Sequence, residues 1–367
     1  MEKNSKIYVA GHLGLVGSAL VRKLNENGFY NIIGRSIDEL DLLDQHATRR
    51  FFSTEKPEYV FLAAAKVGGI IANNTYRAQF IYENLQIQNN IIHNAYLSGV
   101  KKLLFLGSSC IYPRNAPQPL KEEYLLSSEL EYTNEPYAIA KIAGIKMIES
   151  YNLQYGTNYI SVMPTNLYGP NDNYDLEKSH VLPAMIRKMY LAKSLENIDW
   201  DAIRKDFSKR PLEGFNGSSS ETDIFKLMSK YGINKKDKET GIELWGTGTP
   251  RREFLHSNDM AGACVYLMEH VDFKDIIKNQ ISKSGHLTSE IINTHINIGT
   301  GQDLTIKELS EIVRKVVGFK GRISWDTDKP DGTMQKLLDV SKLNSLGWKE
   351  KISLEEGIHE VYNQYIL

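Results

Sequence analysis

At 367 residues, with 44 Lys and Arg against 45 Asp and Glu, the chain carries a formal net charge of −1. That balance excludes a strong global field of the kind that draws nucleic acid or an anionic membrane, and leaves room only for a local basic patch facing a phosphorylated small molecule. The length suffices for one large core or two coupled ones.

Two cysteines, Cys110 and Cys264, stand at no metal-ligand spacing, which argues against a zinc site or a disulfide framework and fits a reducing cytosol. Met1-Glu2-Lys3-Asn4-Ser5 leads into a strand without an apolar signal region, and no apolar run nears the ~20 residues that span a bilayer. The expectation is a cytoplasmic protein with no membrane and no nucleic-acid partner.

In chain order, β-rich runs fall at 6–10, 31–34, 59–63, 103–106 and 159–163, with helical patterns at 16–24, 78–97 and 138–155 between them. Strands that are apolar on both faces and alternate with helices predict an α/β fold, a Rossmann-type doubly wound parallel sheet covered on both sides. After Pro164 the texture changes to interleaved prolines, glycines and aromatic residues, which predicts a smaller second domain over 171–367. The first domain is expected over 1–170, with a strand returning to its sheet near 292–299. Residues 193–240 are rich in charge and read as a surface helical insertion. Within it Ser218-Ser219-Ser220-Glu221 resembles a capping box ahead of Ile224, Leu227, Met228 and Tyr231, and Lys235-Lys236-Asp237-Lys238-Glu239 reads as a flexible tail.

The first strand runs into Gly11-His12-Leu13-Gly14-Leu15-Val16-Gly17. In a strand–turn–helix context this spacing suits a dinucleotide: Gly11 for the tight turn, Gly14 for close approach of a pyrophosphate, Gly17 for helix–strand packing. The helix N-terminus then faces the anion with free amides and the positive end of its dipole. The second strand ends in Arg35-Ser36, where a carboxylate would select NAD. Arg35 either meets a 2′-phosphate, which favours NADP(H), or is an exposed arginine closing a strand. Asp41-Leu42 is expected against the adenine.

Tyr137 and Lys141 are four apart on a helical pattern, so they share one face. An ammonium beside a phenol is expected to lower the phenol's pKa, suiting Tyr137 to hand a proton to a reacting ketone. Ser108, in Gly107-Ser108-Ser109-Cys110, would supply a second hydrogen bond to the same oxygen. The plainer reading of Tyr-x-x-x-Lys is an exposed pair on a helix.

Longer strings decide between these readings. They are Leu62-Ala63-Ala64-Ala65-Lys66-Val67-Gly68-Gly69-Ile70, Leu106-Gly107-Ser108-Ser109-Cys110-Ile111-Tyr112-Pro113, Asn134-Glu135-Pro136-Tyr137-Ala138-Ile139-Ala140-Lys141, Met163-Pro164-Thr165-Asn166-Leu167-Tyr168-Gly169-Pro170, Arg252-Glu253-Phe254-Leu255-His256 and Lys329-Pro330-Asp331-Gly332-Thr333. Through them the chain resembles the extended short-chain dehydrogenase/reductases and, within these, the GDP-L-fucose synthase family, nearly end to end apart from 193–240.

The resemblance implies that Ser108, Tyr137 and Lys141 form the triad for hydride transfer from NADPH to a 4-keto carbon. It also implies that Cys110 and His180 are the acid–base pair that epimerises C3 and C5 of a GDP-linked keto-sugar. Taken singly, Cys110 is as readily a small buried hydrophobe and His180 a loop residue. NADP(H) is implied to meet Leu15, Val16, Ala64, Ala65, Lys141, Pro164, Asn166, Leu167 and His180 besides the glycines. The substrate is implied to meet Ser109, Asn166, Lys188, Trp245, Arg252 and Lys329, with Trp245 alternatively a core residue. A homodimer through the helices at 78–97 and 138–155 is implied as well.

Three features depart from the family pattern. Leu13 stands where relatives carry an arginine for the 2′-phosphate; Met334-Gln335 replaces a Pro-Arg pair; and the insertion separates His180 from Trp245. They leave reductase chemistry intact and loosen the choice of sugar, between a synthase of GDP-L-fucose and a C4-reductase of a related GDP-heptose bound for surface polysaccharide. A non-catalytic nucleotide-binding regulator is a third reading, against which the full Ser108, Tyr137 and Lys141 set argues.

Overall fold

The computed structural model describes residues 1–236, 239–280, 290–329 and 331–367. Asp237 and Lys238 of the expected tail, and Pro330 of the Lys329 string, lie outside the described residues. The chain divides into two compact units. The first comprises Met1–Asn171, Glu253–Gln302 and Leu337–Ile352, and the second Asp172–Arg252, Asp303–Lys336 and Ser353–Leu367.

Along the chain the elements are β1 (Ile7–Ala10), α1 (Leu15–Glu26), β2 (Ile32–Ile33), α2 (Gln45–Glu55), β3 (Tyr59–Leu62), α3 (Ile70–Thr75), α4 (Arg77–Leu97), β4 (Lys102–Leu106), α5 (Glu135–Tyr155), β5 (Tyr159–Pro164) and β6 (Asn166–Tyr168). There follow α6 (Val181–Glu196), α7 (Trp200–Lys209), α8 (Glu221–Lys230), β7 (Ile233–Lys236), β8 (Glu239–Trp245), β9 (Arg251–Arg252), β10 (Phe254–His256), α9 (Ser257–His270), α10 (Phe273–Ile276) and β11 (Ile296–Ile298). The chain closes with β12 (Leu304–Thr305), α11 (Ile306–Val317), β13 (Arg322–Asp326), β14 (Gln335–Lys336), α12 (Ser341–Ser345) and α13 (Leu354–Ile366).

In the first unit, six strands among the described residues pair in the order β11-β5-β4-β3-β1-β2. Every pairing is parallel. The returning strand takes its place as β11, with Ile296 opposite Val162. Strand faces are apolar on both sides because helices cover both, and Ile7, Val9, Phe61, Leu104 and Val162 are fully buried. Each such side chain contributes about 1.5–3 kcal/mol relative to exposure. The order reverses between β1 and β3, so a crevice opens beyond their carboxyl ends, where such sheets take ligands. β2 is shorter than the run at 31–34, and α1 outruns the pattern at 16–24. α5 starts earlier than expected because Pro136 fits a first helical turn, and it stops at Gly156 in the left-handed region.

In the second unit β13, β8 and β7 form one small sheet and β12, β9 and β14 another. Residues 193–240 hold the end of α6, all of α7 and α8, β7 and the first residues of β8. Ile203, Phe207, Ile224 and Met228 are fully buried there, so α7 and α8 pack rather than float. The cap of α8 is Ser220, whose Oγ accepts from Asp223 N at 3.2 Å, two residues beyond the expected Ser218. Lys235, Lys236 and Glu239, expected as a flexible tail, belong to an antiparallel β7–β8 pair in which Lys236 faces Glu239.

A buried ion pair ties α6 to α7: Arg187 Nε donates to Asp206 Oδ2 at 3.0 Å, with both side chains 1% exposed. Tyr365 of α13 also donates to Asp206. Among the described residues no helix is long and apolar enough to cross a membrane.

Candidate active site

The turn after β1 is built for close approach. Gly11 has φ +81°, and a Cβ there would lie 2.8 Å from the Ala64 backbone beyond β3. A Cβ on Gly17 would sit 2.0 Å from the Gly11 carbonyl oxygen, so α1 can begin only against a bare backbone. Gly14, by contrast, has only Gly11 O within 4 Å of its Cβ position. It is the N-cap of α1 without a side-chain cap, so the first-turn amides, including those of Leu15 and Val16, are left for a ligand. A bare turn at a helix N-terminus fits a dinucleotide pyrophosphate.

After β2, Arg35 donates to Gly34 O at 2.8 Å and to Glu55 Oε1 of α2 at 2.8 Å. Asp41 accepts from Leu43 N at 2.9 Å, and Asn90 of α4 donates to Leu42 O at 2.8 Å. Asn84 clamps the backbone after Ala65, accepting from Lys66 N and donating to Lys66 O, each at 3.0 Å. Beyond β5 and Pro164, Asn166 donates to Glu253 O at 2.8 Å, and Leu167 packs against the core.

The triad expected from sequence is assembled at the end of β4 and the start of α5. Ser108 Oγ accepts from Cys110 N at 3.4 Å in a one-turn 3-10 helix that buries Ser109 and Cys110. Tyr137 shares a hydrogen bond with the Ser108 side chain. Its ring meets Phe80 edge-on at 6.3 Å. Lys141 is 3% exposed, donates from Nζ to Leu106 O at 2.8 Å and lies 5.6 Å from the Tyr137 ring centroid. A solvated surface pair, the plainer reading, is ruled out.

One expectation is overturned. The Tyr137 phenol is held well above its ordinary pKa rather than below it, by burial first and by negative charge at Cys110 second, against the Ser108 hydrogen bond. Burial also lowers Lys141 to about 8, with Cys110 opposing. The ammonium is engaged by the Leu106 carbonyl, and desolvation of the phenolate dominates. Cys264, fully buried in α9, is a core residue whose thiol burial pushes up strongly.

The second unit carries the other candidates. His180 is the exposed N-cap of α6, its pKa lowered by desolvation and then by Lys336. Lys188 is buried, donates to Glu243 O at 3.0 Å and is lowered to about 8 by burial. Trp245 is 53% exposed, with Lys329 Nζ 5.7 Å from its ring centroid, so the core reading for this indole fails. Arg252 donates to Arg251 O at 2.8 Å; burial lowers its pKa and Asp331 opposes that.

Asp331 was not singled out from sequence, although it stands two residues beyond Lys329. It accepts from Thr247 N at 2.7 Å and Thr247 Oγ1 at 2.8 Å, and Gly246 has no room for a Cβ beside it. Asp331 thus fixes the turn after Trp245 and faces Arg252. Where the Pro-Arg pair is missing, Gln335 donates to Asp303 at 2.7 Å, on the carboxylate that Arg251 also engages at 2.8 Å.

Residues 7–205 and 213–293 match the model of the "NAD dependent epimerase/dehydratase family". A putative GDP-L-fucose synthase 2 of Arabidopsis thaliana is 51% identical over 366 residues, covering 100% of this chain and 93% of the relative. The GDP-L-fucose synthase of Escherichia coli (strain K12) is 46% identical over 363 residues, covering 98% and 96%. Among solved structures, a GDP-D-glycero-L-gluco-heptose synthase from Campylobacter jejuni, in the presence of NADPH, is 47% identical with a TM-score of 0.89, covering 100% of this chain and 99% of that one.

Proposed function

The chain belongs to the NAD dependent epimerase/dehydratase family, and from that premise we propose that it reduces a GDP-linked 4-keto-6-deoxy sugar with NADPH. The main substrate on this reading is GDP-4-keto-6-deoxy-D-mannose and the product GDP-L-fucose. It is an NADP-dependent oxidoreductase. The observation that carries the chemistry is the buried Ser108–Tyr137–Lys141 cluster.

Gly11, Gly14, Gly17 and the first-turn amides of α1 would hold the dinucleotide pyrophosphate, with Arg35 at the adenosine end. When bound, NADP(H) supplies the hydride for C4 of the sugar. Tyr137, kept protonated by its raised pKa, donates its proton to the ketone oxygen as negative charge grows there. Ser108 steadies the same oxygen with a second hydrogen bond. Lys141, cationic below about pH 8, offsets the phenolate left behind. A regulator has no use for such a cluster.

Cys110 and His180 are proposed as the epimerising pair. Protons at C3 and C5 lie α to the ketone and are acidified by it, so a thiolate removes one and an imidazolium returns it on the opposite face. Lys188, Arg252 and Lys329 are proposed for the diphosphate, with Trp245 and Asp331 for the base; an exposed indole and a fixed carboxylate suit guanine. The domain reading, a cofactor domain on the first unit and a sugar-nucleotide domain on the second, belongs to the same proposal, although Glu253–Gln302 and Leu337–Ile352, expected beyond the boundary near 170, fall in the first unit. So does a cytoplasmic homodimer through α4 and α5, supported by exposed Tyr82, Leu97, Leu153 and Tyr155 on those helices.

A second reading is C4-reduction of a GDP-heptose for surface polysaccharide, without epimerisation. It is favoured by the likeness to the Campylobacter enzyme. Residues 193–240, expected to fall outside the family pattern, are spanned by the GDP-L-fucose synthase relatives as well and favour neither reading. Rates of NADPH oxidation with GDP-4-keto-6-deoxy-D-mannose and with a GDP-4-keto-6-deoxy-heptose decide between them. Faster turnover of the hexose is expected. Turnover of the heptose alone overturns the main reading, and turnover of neither overturns both.

A further inference from the structure

We infer that His12, inside the glycine-rich turn, is the second group besides Arg35 that recognises the 2′-phosphate of NADP(H), and that it makes the preference for NADPH over NADH depend on pH. The inference rests on the NADP(H) reading and deepens it.

Charge is the starting point. A phosphomonoester carries about −1.5 to −2 at neutral pH. Arg35 is the cation at the end of β2, but one of its guanidinium nitrogens is on Glu55 Oε1 at 2.8 Å and another on Gly34 O at 2.8 Å. The Arg35–Glu55 pair brings little net positive charge to the pocket. Leu13, in the same turn as His12, is 67% exposed and brings none.

The imidazole of His12 lies directly on Gly34. A Cβ added at residue 34 would stand 2.4 Å from its Cγ and Cδ2 and 2.7 Å from its Nδ1. The ring is therefore wedged between the turn after β1 and the segment that carries Arg35. Its Nδ1 is buried and has no hydrogen-bond partner among the described residues. A buried, unsatisfied ring nitrogen costs stability unless something else satisfies it. A phosphate oxygen arriving beside Arg35 is an acceptor of the right kind, and a protonated ring turns that contact into a charge-assisted bond.

Charged groups around this turn include Arg35, Glu55 and Glu39. Arg35 lies on the segment after β2, and Glu55 of α2 pairs with Arg35. Glu39 is held below the usual carboxylate range chiefly by hydrogen bonds from Ser36, with smaller pulls from Arg35 and His12. An incoming dianionic phosphate brings the negative charge that a protonated ring would answer.

The test is equilibrium binding, read by nicotinamide fluorescence, of NADPH and NADH to the parent protein and to His12→Asn between about pH 8 and pH 6, the range in which imidazoles gain charge. The phosphate's own second ionisation, near pH 6, works in the opposite direction, so the comparison is between the two proteins and not between pH values alone. The parent should prefer NADPH increasingly over the variant as pH falls, by roughly tenfold at the acid end, the size of one charge-assisted contact. NADH binding should change little, which also reports that the variant is folded. Gly34→Ala, which displaces the ring, should shift the preference the same way, and Leu13→Arg should restore it in His12→Asn.

An unchanged NADPH-to-NADH ratio in His12→Asn overturns the inference, as does equal weakening of both cofactors or a ratio with the parent's pH dependence. If the parent itself shows no preference for NADPH, the NADP(H) reading fails instead.

Discussion

The proposed reduction cluster of the first unit and two of the sugar-side candidates of the second, His180 and Trp245, are built in opposite ways, whereas Lys188 of the second unit is buried on a main-chain carbonyl much as Lys141 is. Ser108, Cys110, Tyr137 and Lys141 are fastened to the end of a buried strand and the start of a long helix, and Lys141 is 3% exposed with its ammonium on a main-chain carbonyl. His180 is exposed, and Trp245 is 53% exposed with Lys329 Nζ 5.7 Å from its ring centroid. Catalytic groups on rigid elements hold their geometry before substrate arrives, whereas exposed groups can change without loss of the fold. On the proposed reading, reduction rests on buried groups and the choice of sugar partly on exposed ones.

The largest break in that contrast comes from the rigid side. Tyr137→Phe removes only the transferable proton, so kcat should fall by roughly 10²–10⁴ while NADPH binding stays near parental. Stopped-flow NADPH oxidation together with a binding titration checks both halves, and a parental kcat removes Tyr137 from the role of acid.

The second unit also has a rigid part, which sharpens the comparison. Arg187 and Asp206 form a pair with both side chains 1% exposed. Asp206→Ala leaves a buried guanidinium without its partner and should cost about 3–5 kcal/mol in urea unfolding. A loss near zero would mean that α6 and α7 do not depend on this pair.

pH probes the cluster more gently. Lys141 is lowered to about 8 by burial, so its cation is present below that pH and lost above it. Under saturating substrate the rate of reduction should therefore fall about tenfold per unit above pH 8. A flat profile to pH 10 would separate Lys141 from the chemistry. Smallest is Trp245→Ala: at an exposed site its stacking is worth roughly 0.5–1 kcal/mol, a two- to fivefold rise in KM with kcat unchanged. A drop in kcat instead would place the indole's influence at the reacting carbon.

Much of the rigid side could be read from sequence, and the reasons are local. Gly11, Gly14 and Gly17 follow a strand and open a helix, a context that leaves few alternatives. Tyr137 and Lys141 share a face because four residues make about one turn.

What escaped depends on folding distant segments together. Glu55 meets Arg35 across twenty residues, from a helix whose sequence, Gln45 to Glu55, is too polar to announce itself; only Thr48 and Phe52 of it are buried. Burial around Tyr137 reversed the effect expected from Lys141, and no spacing reports burial. In the charged 193–240 stretch three consecutive serines could each cap α8, and packing of Ile224 and Met228 selected Ser220. The buried alternation of Thr240, Ile242 and Leu244 was a legible strand signal that the surrounding charges masked.

The most direct test of a preformed reduction cluster that works with an acid–base pair is proton NMR of the product formed from GDP-4-keto-6-deoxy-D-mannose and NADPH in D₂O. The prediction is GDP-L-fucose with deuterium at C3 and C5, and in Cys110→Ser continued reduction at C4 with most of that deuterium lost. Reduced product without deuterium would leave a pure 4-reductase, with Cys110 and His180 only positioning the sugar. Unchanged substrate and unoxidised NADPH would contradict the reductase reading itself.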